Sequence, residues 1–272
     1  MALNTDLALE AFADARRAGQ LKGAVSRERF DEPSGFLITE TEIKTRAAAE
    51  RLGKPMGLYV TLAAEEQLGT YTPLFAERTE ALARELKRVC GDVGRVLFAG
   101  LGNRRMTADC VGPLTADGVL ATRHLKGLPV DTSGMSETTV ITTGVLGQTG
   151  IESAELTAAV CGKVRPSQVI VCDALACAEP ENMGRSIQLC SSGIAPGSGV
   201  ENARRELSRT TLGVPVAAIG VPTVSRLPDS DMLISPRSAD RLSEAAAALI
   251  AAAVNRLLCP ELTAEEIRSL VI

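Results

Sequence analysis

Val169-Ile170-Val171-Cys172-Asp173-Ala174-Leu175 is an apolar run interrupted once, by an acid. A run that short and continuous suits a strand buried on both faces, the mark of a parallel sheet with helices on either side. Similar runs stand at 95–101, 138–145 and 214–221, and helical segments separate the first three strands of the series. The alternation predicts an α/β fold, a mostly parallel sheet flanked by helices.

Outward from that core the sequence is less regular. Two extended stretches, at 35–39 and 58–62, enclose a helical stretch at 46–52, and the region 34–65 reads as an accessory β region or sheet edge. Pro73 opens an amphipathic helix to about Arg88, with Gly91 just beyond its end. The segment 186–193 alternates like an exposed strand, and Pro196-Gly197-Ser198-Gly199 reads as a loop. Pro236 opens an Ala-rich helix to about Leu258, whose small side chains suit close packing against another helix or subunit. Residues 1–33 are polar, with a short helix from Asp6 to Arg17, and read as peripheral.

The 272 residues are 45% hydrophobic and 23% charged, enough apolar material for a buried core. Residues 1–272 read as a single α/β unit whose core is 92–260. The net charge of −4, with acids and bases interspersed, argues against a nucleic-acid partner. No leader pattern and no apolar run of membrane-spanning length is visible, so the expected location is the cytoplasm. The seven scattered cysteines read as reduced core thiols. His124 is the sole histidine, so Ser-His or Cys-His catalysis would rest on it alone; at the end of a predicted helix it reads as a packing residue.

In open α/β sheets ligands bind beyond the carboxyl ends of the strands. Two segments converge on that rim: Phe98-Ala-Gly-Leu-Gly-Asn103 followed by Thr107-Ala-Asp-Cys-Val-Gly-Pro113, and the strand ending at Asp173. Two carboxyls there would share one proton, so that one activates water while the other donates to a peptide carbonyl. Asp109 and Asp173 are the candidate pair, without metal or cofactor. Against this stand two plainer readings: Asp109 caps a helix, and Asp173 anchors a loop. The glycine segments lack a complete phosphate-binding pattern, so Gly102, Asn103, Ser198 and Gly199 read as substrate-edge loops.

These segments, together with Thr122-Arg-His-Leu125, Gly144-Val-Leu-Gly-Gln-Thr-Gly-Ile-Glu152, Gly193-Ile-Ala-Pro-Gly-Ser-Gly199 and Thr211 to Val224, resemble the germination proteases of spore-forming bacteria. The resemblance implies a fold like that of the hydrogenase-maturation peptidases and an aspartate-dependent endopeptidase acting on small acid-soluble spore proteins. It assigns the catalytic acids to Asp109 and Asp173. It also implies a homo-oligomer, a tetramer in that family, in the forespore or spore core, made as a zymogen that removes its own amino terminus. The family cuts where an acid is followed by an apolar residue and alanine, which places self-cleavage between Asp6 and Leu7, with 1–6 as propeptide. Relative to the family, a connecting segment after Val224 is missing. Two alternatives accompany this reading: a metal-dependent maturation-type peptidase using Asp109 and Asp173, with or without His124, and a non-catalytic peptide-binding protein of the same fold.

Overall fold

The computed structural model describes residues 5–19, 21–129, 131–197, 204–227 and 232–270. In chain order its elements are α1 (Ala8–Arg17), β1 (Ala24–Asp31), β2 (Phe36–Ile43), α2 (Arg46–Leu52), β3 (Gly57–Ala63), α3 (Phe75–Cys90), β4 (Arg95–Leu101), α4 (Val111–Gly118), β5 (Glu137–Gly144), α5 (Leu146–Thr149), α6 (Ser153–Val164), β6 (Gln168–Cys177), β7 (Ser186–Cys190), α7 (Arg209–Leu212), β8 (Val216–Arg226), β9 (Leu233–Ile234), α8 (Ala239–Leu258) and α9 (Ala264–Leu270). Among the described residues the strands form one nine-stranded sheet in the order β1-β2-β3-β7-β8-β6-β4-β5, with β9 beside β8.

The sheet is mixed. Strands β5, β4, β6 and β8 run parallel, whereas β1, β2, β3 and β7 extend the sheet through antiparallel pairings as far as β8. The α/β class expected from the sequence is present, and the accessory β region is continuous with the main sheet.

Each central strand is apolar on both faces because both faces are covered. Val96 and Phe98 of β4 and Ile170 and Cys172 of β6 join a core with Leu82 and Leu86 of α3 and Ile250 and Val254 of α8. Their neighbours Leu97, Ala99, Val169 and Val171 turn to the other face, against α1 and α6. Asp173, in step with Val169 and Val171, belongs to this second face. The Ala-rich α8 packs within the chain on α3 and α4.

Two parts of the sheet differ from expectation. Residues 24–31, read as peripheral, form β1, an edge strand whose Arg27, Glu28, Arg29 and Phe30 are all exposed; charged side chains protect such an edge from pairing further. Residues 186–190, read as an exposed strand, are buried throughout between β3 and β8. The polar members of that alternation, Ser186 and Gln188, point inward.

Candidate active site

The turn carrying Asp109 is built on close backbone approach. After β4, Gly102 takes φ +104°, and a Cβ there would stand 2.2 Å from the Asp109 carbonyl oxygen. At the start of α4, a Cβ on Gly112 would lie 2.2 Å from the carbonyl oxygen of Leu101 and 2.4 Å from that of Cys172. Without side chains at these positions, the first turn of α4 rests directly on the end of β4 and the middle of β6. Asp109, three residues before Gly112, is thereby brought towards Asp173, which does not end its strand as expected: β6 runs on to Cys177, and Asp173 stands just past the point where the pairing with β4 stops at Cys172.

The turn is also tied down. Thr223 Oγ1 donates to the Ala108 carbonyl at 2.5 Å and Ser243 Oγ to that of Thr107 at 2.9 Å. Asp109 Oδ2 accepts from the Asn103 N–H at 2.8 Å. Neither the 3-10 turn Thr107–Asp109 nor α4 has a side-chain cap, so the capping role considered for Asp109 is replaced by this bond back to the loop. Asn103 is held in turn by Gln148, whose Nε2 donates to its Oδ1 at 2.7 Å.

Asp173 is 5% exposed, and its Oδ1 accepts from the N–H of Ala174 at 2.9 Å. Burial, followed by repulsion from Asp109 and then from Asp6, holds its carboxyl well above the usual carboxylate range. Burial also raises Asp109, but the Asn103 N–H and the nearby Arg204 cation oppose it. Both carboxyls are therefore raised, Asp173 the more strongly.

Asp6 and Leu7 lie beside this pair. The N–H of Asp6 donates to the Ala176 carbonyl at 2.8 Å, and the N–H of Ala176 returns a bond to Asp6 Oδ2 at 2.9 Å. Leu7 is fully buried among Leu175, Cys177 and Met183. Asp6 lines a cavity of about 120 Å3 together with Lys54, Tyr59, Gln188, Ala218 and Gly220. Burial lowers the Lys54 ammonium, with Asp6 the main opposing influence.

His124 stands in the 3-10 turn Arg123–Leu125 rather than late in a helix. Its neighbour Thr122 bonds Thr138, near the start of β5, whereas the rim is at the other end, where Gly144 pairs with Leu101. Among the described residues no three His, Cys, Asp or Glu side chains converge to hold a metal ion. The alternative set Asp109, Asp173 and His124 therefore does not assemble. Ser198 and Gly199 lie outside the described residues, as do 1–4 of the expected propeptide and 228–231 after β8. No helix among the described residues is long and apolar enough to cross a membrane.

Lys54, Gln188 and Arg204 were not singled out from the sequence. Gln188 carried a signal, a carboxamide in the middle of an apolar strand pattern.

Fold and rim together define an α/β protein in which two acids, Asp109 beyond the end of β4 and Asp173 within β6, lie near enough to repel each other. The chain belongs to the germination protease family: the family model described as peptidase A25, germination protease, matches residues 4–230. It is 38% identical over 233 residues to the germination protease of Bacillus cereus strain B4264, covering 82% of this chain and 63% of that relative. The germination proteases of Bacillus cytotoxicus and Bacillus anthracis strain A0248 match at 38% over 234 residues with the same coverage. The chain thus spans less than two thirds of the length of these curated relatives. Among solved structures it is similar to the [NiFe] hydrogenase maturation protease HycI from Thermococcus kodakarensis KOD1, at 20% identity and TM-score 0.38, over 63% of this chain and 99% of that one.

Proposed function

We propose that this chain is an endopeptidase that hydrolyses small acid-soluble spore proteins during germination, with Asp109 and Asp173 as its water-activating pair. The observation that supports the reading is the placement of two acids near one rim: Asp109, held by the Asn103 N–H at 2.8 Å, and buried Asp173, whose carboxyl is raised by burial and then by repulsion from Asp109.

In the proposed reaction Asp109 takes a proton from water as the oxygen attacks the peptide carbon, while Asp173 gives its proton to the carbonyl oxygen. The intermediate collapses as Asp109 passes its proton to the leaving nitrogen and Asp173 recovers one from the hydroxyl. The C–N bond breaks and both acids return to their starting state. Asn103, through its N–H on Asp109, orients the base.

The same reading includes self-processing between Asp6 and Leu7, a bond docked beside Asp173. It also includes a single peptidase unit over 1–272, a cytoplasmic location in the forespore or spore core, and assembly into a homo-oligomer.

The test is cleavage of a purified small acid-soluble spore protein by wild type, Asp109→Asn and Asp173→Asn, with mass spectrometry of the amino terminus after mild acid incubation. Loss of cutting in both variants is expected. Full activity in either one removes that residue from the mechanism, and an unchanged terminus in an active sample removes the Asp6–Leu7 site.

A further inference from the structure

Asp173 of β6 and Gln188 of β7 both pair with Gly220 of β8, one from each side. Ile187 and Leu189 point to the opposite core, so Gln188 shares a face with Asp173. The Leu175 side chain packs over the bare face of Gly220, and Leu175, Gln188 and Gly220 line one groove together with Asp6. Thr5, Asp6 and Ala8 are bonded to its lining residues Lys54 and Gln188.

The groove holds the segment by its backbone. Gln188 Nε2 donates to the Asp6 carbonyl at 2.9 Å, and Gln188 Oε1 accepts from the N–H of Ala8 at 2.7 Å. One side chain thus brackets the Asp6–Leu7 bond. Lys54 Nζ donates to the Thr5 carbonyl at 2.6 Å. Ala176, by the two bonds described above, reads both the backbone and the carboxylate of residue 6.

Gln188 is 6% exposed. A carboxamide that deep costs free energy unless its donors and acceptor are used, and residues 6 and 8 use both ends of this one. Cleavage after Asp6 frees Gln188 Nε2 from the Asp6 carbonyl, and a substrate strand takes the whole position only when Leu7 and Ala8, which stay with the cut chain, also lift out.

We propose that Gln188 grips the scissile carbonyl, and that the groove lined by Gln188 and Gly220 is the substrate cleft. An acidic side chain is read there by the Ala176 N–H and the next, apolar residue by Leu175, Cys177 and Met183. The inference rests on the protease reading and deepens it. When water adds to the carbonyl carbon, the oxygen gains a bond to the Asp173 proton, and the Gln188 N–H stabilises the charge that builds during the transfer. A fixed donor at such an oxygen contributes on the order of 10²–10³ in rate. The amide neither gains nor loses a proton, so the exchange stays within the Asp109–Asp173 pair.

The test compares full-length wild type, Gln188→Met and Gln188→Glu for self-conversion to the form starting at Leu7 and for hydrolysis of the octapeptide Leu-Asn-Thr-Asp-Leu-Ala-Leu-Glu, this chain's own residues 3–10. Gln188→Met is expected to slow both by on the order of 10²–10³ while retaining its circular dichroism. Gln188→Glu places a carboxylate against the carbonyl and is slow near neutrality. Its rate relative to wild type should climb as acidification protonates the new carboxyl into a donor, a recovery that a merely structural glutamine would not give. Should Gln188→Met fail to fold, the pH dependence of Gln188→Glu alone decides. Active wild type with Gln188→Met within about threefold of it, or a pH-independent Gln188→Glu ratio, overturns the role of Gln188 and leaves the protease reading standing. Wild type that cuts neither itself nor the peptide overturns both.

Discussion

Gly102 and Asp109 are in backbone contact: a Cβ at Gly102 would come within 2.2 Å of the Asp109 carbonyl oxygen and 2.9 Å of its Oδ1. The loop therefore closes over the acid only because residue 102 has no side chain. Its φ of +104° would strain any other residue there as well. Gly102→Ala is expected to cost roughly 1–3 kcal/mol in urea denaturation. It should also lower cleavage more than stability, because the Asn103 N–H is displaced from Asp109 Oδ2. Unchanged activity would show that the loop does not set the orientation of the base.

A second prediction concerns pH. The folded-state pKa of Asp173 lies well above the ordinary 3.8. Below that ordinary value the group is neutral in both folded and unfolded chains and costs nothing. As pH rises past it, the unfolded chain ionises first, so native stability falls until pH reaches the raised folded value. Asparagine mimics the neutral acid and avoids this loss. Asp173→Asn should match wild type in urea midpoint near pH 3 and exceed it at pH 7, while losing activity. A difference independent of pH would mean that burial does not hold the acid neutral.

The candidate acid Asp173 was legible as a lone acid in an apolar run, although the strand that carries it continues four residues further, to Cys177. The parallel strands were legible for the same reason, each being apolar on both faces. β1 was not: Ser26-Arg27-Glu28-Arg29 has no buried face to impose a period, and pairing with β2 makes it a strand. β7 showed its alternation, but not which side was wet. Gln188 looks solvent-facing until the amino-terminal segment covers it. That segment bonds Gln188 from 180 residues away in the chain, a proximity no local pattern encodes.

The docking of the amino-terminal segment depends on Glu10. This side chain is 4% exposed and accepts from the N–H groups of Ala178 at 2.9 Å and Glu179 at 3.2 Å and from Asn182 Nδ2 at 2.6 Å, together with Thr5 Oγ1. Glu10→Ala leaves those donors without their acceptor, at a cost of about 2–4 kcal/mol. The loss should be local. Hydrogen exchange at Ala178 and Glu179 should accelerate while amides of β4 and β6 remain protected. Uniform acceleration would instead make α1 part of the cooperative core.

Asn255 offers the converse case, a buried polar residue that supports the fold behind the site without touching the acids. It is 2% exposed on α8; its Oδ1 accepts from the N–H of Leu120 at 2.9 Å, and its Nδ2 donates to the Gly118 carbonyl at 2.8 Å. Both partners lie at the end of α4, where the chain leaves the helix and needs its free backbone groups satisfied. Asn255→Leu keeps the volume but strands one buried N–H and one buried C=O, an expected loss of about 2–4 kcal/mol. The turn bearing Asp109 sits at the opposite end of α4 and is fastened separately by Thr223 and Ser243. Cleavage measured well below the lowered melting temperature should therefore stay near wild type. Matched losses of activity and stability would mean instead that α4 transmits the disturbance along its length to Asp109.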